Sequence, residues 1–256
     1  MQIDLRNAAR PLAPSLPALP ELKPLAMGTW RGRMLNEHTS ATVFENLARQ
    51  IEGAELESGL ADECRSFAEE ERRHGVLCGA VVEALGGEAT FERPETADFP
   101  EHADVCRAEA VLRNAISICC MSETVAVALI GAERLEMPEG ALRELLTRIY
   151  ADEVGHARFG WQLVQRLAPS LDAAARARVG AYLEVAFSHL ERYELSHINP
   201  LAAPPEEGVH LGLCNGRDAR TLFYDTVDEV IVPGLEAVGL PAREAWRRTS
   251  KTRRMT

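Results

Sequence analysis

The chain has 256 residues, 46% hydrophobic and 5% aromatic, with a formal net charge of -11 at pH 7. That length suits one substantial core with appendages, and the acidic balance excludes the basic footprint of a general nucleic-acid-binding surface. Abundant Ala, Leu, Glu and Arg, with few alternating β-branched runs, point to an all-α protein.

Residues 1–28 carry Pro11, Pro14, Pro17, Pro20 and Pro24, each lacking the amide proton of a helix interior, and read as an extended arm. A helical bundle is expected over 29–200. Its first helix starts near Trp30 and runs to about Gly53; the second runs from about Ser58 to Leu85, where Gly86-Gly87 stops it. A crossover containing Pro94 and Pro100 leads to a third helix, Glu101 to Leu135. A fourth follows from Glu139 to Ala168, and a fifth from Leu171 to His197, ended by Asn199-Pro200. The short breaks at 53–58 and 136–139 make antiparallel hairpins of helices one and two and of helices three and four. Residues 201–256 read as a loop, a C-terminal helix or two, and a basic tail from Arg243 that is solvated and partly disordered.

The six cysteines, Cys64, Cys78, Cys106, Cys119, Cys120 and Cys214, form no CxxC pair, and five sit in helical patterns among apolar neighbours. They read as reduced core thiols of a cytosolic protein. The N-terminus lacks the apolar stretch of a signal peptide, and the longest hydrophobic run, near VAVALIGA, reads as too short to cross a bilayer. A soluble, cytoplasmic protein with neither nucleic-acid nor membrane partners is expected.

Glu-x-x-His places a carboxylate and an imidazole about 60° apart on one helical face, so both can reach one metal ion. The motif alone is cheap: roughly one match is expected by chance from composition. Four occur, at Glu71/His74, Glu153/His156, Glu194/His197 and Glu207/His210. The last lies in a Pro- and Gly-bearing loop and the third at a helix end, so neither offers a rigid inward pair. In helix two, however, Glu71 and His74 interrupt the stripe Leu60, Cys64, Phe67, Cys78, Val81, Leu85. In helix four, Glu153 and His156 interrupt Leu142, Leu146, Ile149, Gly160, Leu163, Leu167. Polar groups buried at such positions need compensation worth several kcal/mol, and a metal supplies it.

Two further carboxylates follow from turn distances. Glu123, in the stripe Leu112, Ile116, Cys119, Val127, Ile130, lies about 15 residues before the hairpin break, and Glu153 about 15 after it, which places them at equal height. Helix one offers Glu37 or Glu45; Glu37 lies about 18 residues before its break and Glu71 about 16 after, which favours Glu37. A local echo, MLNEHTSA against CMSETVAV, supports the same choice.

Across residues 30–168 these features resemble the ferritin-like di-iron carboxylate superfamily, whose pattern is a Glu from each of two helices plus Glu-x-x-His from each of two others. EERRH, ending at His74, resembles the box of the oxygenase and N-oxygenase branches; DEVGH, ending at His156, has Gly155 where some members carry Arg, and a rubrerythrin-like branch stays open. The resemblance implies a ferritin-like four-helix bundle with additional C-terminal helices. Glu71 and Glu153 would chelate or bridge, His74 and His156 would each bind one ion, and Glu37 and Glu123 would be terminal ligands.

Asp152 and Glu70 are candidate acceptors that fix a histidine tautomer, and Tyr150 a candidate hydrogen bonder or redox-active side chain. Cys119, His38 and His189 carry weaker claims. The O/N donor set suits two iron ions, with manganese second. The implied function is an oxidoreductase that activates dioxygen or peroxide to oxidise a small organic substrate. An electron-donor protein and a second copy of the chain are further candidate partners. The alternative is a metal-free ferritin-like protein with a structural or interaction role.

Overall fold

The computed structural model describes residues 2–92, 99–198 and 203–253, and 78% of the chain is helical. The elements run in the order β1 (Gln2–Asp4), α1 (Arg6–Ala9), α2 (Lys23–Gly53), α3 (Ser58–Ala84), β2 (Thr90–Glu92), α4 (Arg107–Ala115), α5 (Glu123–Glu136), α6 (Ala141–Leu167), α7 (Ala173–His197), α8 (Gly216–Thr226), α9 (Val232–Ala237) and α10 (Ala242–Arg253). Two π-helical segments, Ile116–Ser122 and Val227–Ile231, join α4 to α5 and α8 to α9.

The chain forms two compact units. The first comprises Met1–Phe99, Ile130–Asp152 and Ala203–Asn215; the second comprises Pro100–Leu129, Glu153–Ala202 and Gly216–Thr256. The division falls inside α5 and inside α6, between Asp152 and Glu153.

In the first unit α2 and α3 pack along their lengths as a hairpin closed at Ala54–Glu57. Alanines and long apolar side chains at helical spacing give each a buried stripe, and their core includes Trp30, Met34, Cys78, Val81, Leu146 and Ile149. Gly86, at φ +76°, takes the left-handed conformation that ends α3. The N-terminal segment is more structured than an extended arm: β1 pairs antiparallel with β2, and Arg10 pairs with Glu83. Helix α2 also starts at Lys23, earlier than the prolines suggest, because Pro24 occupies the first turn, where a missing amide proton costs nothing.

In the second unit the third helix begins at Arg107 rather than near Glu101. Buried Glu109 accepts hydrogen bonds from Arg113 (2.9 Å) and Arg178 (2.6 Å), tying α4 to α7. Asp172 caps α7 by accepting from the Ala175 amide at 2.7 Å. Within the described residues the basic tail is helical rather than disordered: Ala242, Ala245 and Trp246 of α10, which runs to Arg253, are buried, and the Trp246 indole donates to Asp228 at 2.8 Å. Apolar side chains at i, i+3 and i+4 outweigh the positive charges around them.

Two further expectations need correction. All six cysteines are free, but Cys106 and Cys214 are exposed rather than core. The run VAVALIGA belongs to the continuous helical stretch Arg107–Glu136, which is long and apolar enough to cross a membrane, a test that an interior helix of a soluble protein also passes. Pro94 and the Asn199-Pro200 stop lie outside the described residues.

Candidate metal centre

In the first unit, α3 carries Glu71 and His74 three residues apart and hence on one face, each 1% exposed. His74 Nδ1 lies 3.7 Å from Oε2 of Glu37, which comes from α2, and 3.9 Å from Glu71 Oε2. Its other nitrogen, Nε2, lies 3.0 Å from Asp152 Oδ2. With the Nε2 proton donated to Asp152, the lone pair of Nδ1 is left facing two carboxylates. That arrangement is repulsive in the neutral tautomer and attractive once a cation sits among the three groups.

The second unit repeats the theme with Glu123, Glu153 and His156. His156 is fully buried; its Nδ1 lies 3.0 Å from Glu153 Oε2 on the same helix and 3.9 Å from Glu123 Oε2. Glu123 is the first α-helical residue after the π-helical segment. Within each triad, every residue offers a ligand atom within 4.8 Å of the other two.

The spacings fit metal coordination. Ligand atoms about 2.1 Å from one ion and about 90–140° apart lie roughly 3.0–3.9 Å from each other, against 3.7 and 3.9 Å in the first triad and 3.0 and 3.9 Å in the second. The donors are carboxylate oxygens and imidazole nitrogens, a hard-to-borderline set rather than a thiolate one. A buried Glu/His cluster of this kind can hold a metal.

The remaining sequence candidates fall in varied places. Tyr150 lies under the Arg134 guanidinium, 4.7 Å from its ring centroid, and faces Gly131, which makes it a packing residue on α5. Glu45 is exposed and pairs with Arg72, and Glu70 lies 3.5 Å from Arg73 on its own helix. His38 meets the edge of Phe91, and His189 stacks on Tyr193 at an exposed position. Cys119 is buried against Gly160. Among the described residues, Glu194/His197 and Glu207/His210 join no group with metal-ligand spacing. The sequence gives no sign of the π-helical segment before Glu123, and π-bulges recur at functional sites.

No known family model and no curated protein sequence matches the chain. Among solved structures it is similar to a protein from Synechococcus with aldehyde deformylating oxidase activity, at 21% identity and a TM-score of 0.56. The match covers 87% of this chain and 93% of that one. The fold is thus all-α, of the ferritin-like helical bundle class with additional C-terminal helices.

Proposed function

We propose that the two triads serve a pair of metal ions, iron first and manganese second, in an enzyme that uses dioxygen or peroxide to oxidise a small organic substrate. The observation that carries this reading is the repetition, once in each unit, of a buried imidazole nitrogen set between two carboxylates. Four carboxylates and two neutral imidazoles also match the charge of two divalent cations. When bound, such a pair supplies the electrons that reduce dioxygen or peroxide.

The chain's own residues do the rest. Glu37, Glu71, Glu123 and Glu153 would hold the ions through carboxylate oxygens, and His74 and His156 would each supply one nitrogen. Asp152 holds the proton on His74 Nε2, which keeps Nδ1 available as a ligand. Burial of Glu71, His74, Glu123, Glu153 and His156 limits competing water, with Glu37 the one partly exposed member. The activity named for the Synechococcus protein makes an aldehyde the first substrate to try. An electron-donor protein and a cytoplasmic setting belong to the same reading.

The test is anaerobic loading of the purified protein with Fe(II), elemental analysis, and then exposure to air with product analysis. Two ions per chain, an oxo-bridge absorption band and an oxidised product are expected. A protein that binds no metal after reconstitution is instead a helical scaffold.

A further inference from the structure

Resting on the metal-binding reading of Glu123, Glu153 and His156, the geometry points to Gly160 and Trp161 of α6 as positioning residues that fix the spacing between His156 and Glu123. Gly160 lies four residues, or one turn, beyond His156 on α6. Cys119, which it meets, lies four residues before Glu123. A Cβ at Gly160 would overlap the Cys119 Cβ and come within 3.0 Å of the Cys119 carbonyl carbon. Only glycine allows α6 this close to the π-helical segment.

The next residue acts on the other side of Glu123. The Trp161 indole N–H donates to the buried Thr124 hydroxyl at 3.1 Å, and its ring is backed by Gly234 of α9, where a Cβ would lie 2.6 Å from the ring. Consecutive residues of α6 therefore hold Cys119 and Thr124, which bracket Glu123 across the junction where the π-helical segment becomes α5. A π turn changes the direction in which the following side chains point, so Glu123 reaches His156 only if that turn is kept and α6 stays close. The C-terminal helices contribute through Gly234 of α9, against which the Trp161 ring rests.

The test is an anaerobic Co(II) titration that counts ions per chain and records the d–d spectrum, with circular dichroism reporting the fold. Wild type is expected to bind two ions. In Gly160→Ala one ion is expected to bind about 10–100-fold more weakly with helicity unchanged, and Trp161→Phe, which keeps an aromatic ring of smaller size but loses the indole N–H, should shift the same ion's d–d bands. Gly155→Ala is the control, since nothing lies within 4 Å of a Cβ there. Adding His156→Ala to Gly160→Ala should remove the weakened ion and leave the other at native affinity, whereas adding His74→Ala should leave only the weakened one.

Folded Gly160→Ala and Trp161→Phe proteins that bind two ions with native affinity and spectrum would overturn the positioning role alone. Should Gly160→Ala fail to fold, Trp161→Phe decides. A wild-type protein that binds no ion overturns the metal reading and this inference with it.

Discussion

The two triads are built from the same residue types, yet their imidazoles are oriented by different forces. His74 is held by a hydrogen bond from Nε2 to Asp152, whose side chain is 35% exposed, and it faces a Glu37 that is itself 14% exposed. His156 is fully buried, and the helix that brings Glu123 to it meets α6 through the Gly160–Cys119 contact. The first triad is thus governed mainly by charge near water and the second mainly by packing. Substitutions that change charge should disturb the first triad most, and those that change volume the second.

The largest effect should come from removing a ligand of the water-accessible triad. Glu37→Ala is expected to abolish oxidation and to weaken the ion bound by His74, read as activity and as metal stoichiometry. Glu45→Ala, which breaks only an exposed pair with Arg72, should change stability by less than about 1 kcal/mol. A loss of metal in Glu45→Ala with none in Glu37→Ala would reverse the register of α2 against α3.

Asp152→Ala should come next, lowering affinity for the His74 ion by about 10–100-fold through loss of the tautomer. Its expected specificity is the sharper point. The His156 ion should be unaffected, so a two-site titration in which both ions weaken equally would end the distinction between the triads.

Much of this was legible in the sequence because burial of an α-helical stripe follows directly from spacing. Cys64, Phe67, Cys78 and Val81 are buried around Glu71 and His74, and Leu146, Ile149 and Leu163 around Glu153 and His156. Turn counting also placed Glu37, not Glu45, level with Glu71, since rise per residue is nearly constant in a regular helix, and Glu37 does reach His74 of the same pair. The π-helical segment was not legible, because Ile116 to Ser122 show no composition that separates i→i+5 from i→i+4 bonding. Asp152 was legible as a candidate acceptor for a histidine, although the sequence did not single it out from Glu70, which turns instead to Arg73. The helical tail was hidden by its arginines, which outnumber the three buried residues that hold it down.

The smallest expected effect tests how the chain handles a buried carboxylate that lies in neither triad. Glu194, in α7, is half-buried, and burial alone pushes its carboxyl from 4.5 up to about 7. His197, three residues on, is exposed, with Nδ1 2.9 Å from the Tyr193 carbonyl oxygen. The triads are suited to answer buried charge with a cation; Glu194 answers it by keeping its proton. Because its folded pKa is raised, the folded state holds a proton between about pH 4.5 and 7 that the unfolded state has released, so its contribution to stability falls as pH rises through that window and levels off above it. Glu194→Gln removes this dependence. Denaturant unfolding of the metal-free protein should find the variant and wild type nearly equal at pH 4.5, with the variant more stable at pH 8 by up to about 2 kcal/mol, a value discounted for partial exposure. Metal-free protein is needed because metal binding adds its own proton linkage. Parallel stability curves for the two proteins from pH 4.5 to 8 would show that water or a counter-charge relieves Glu194, and that proton retention is not how this helix tolerates it.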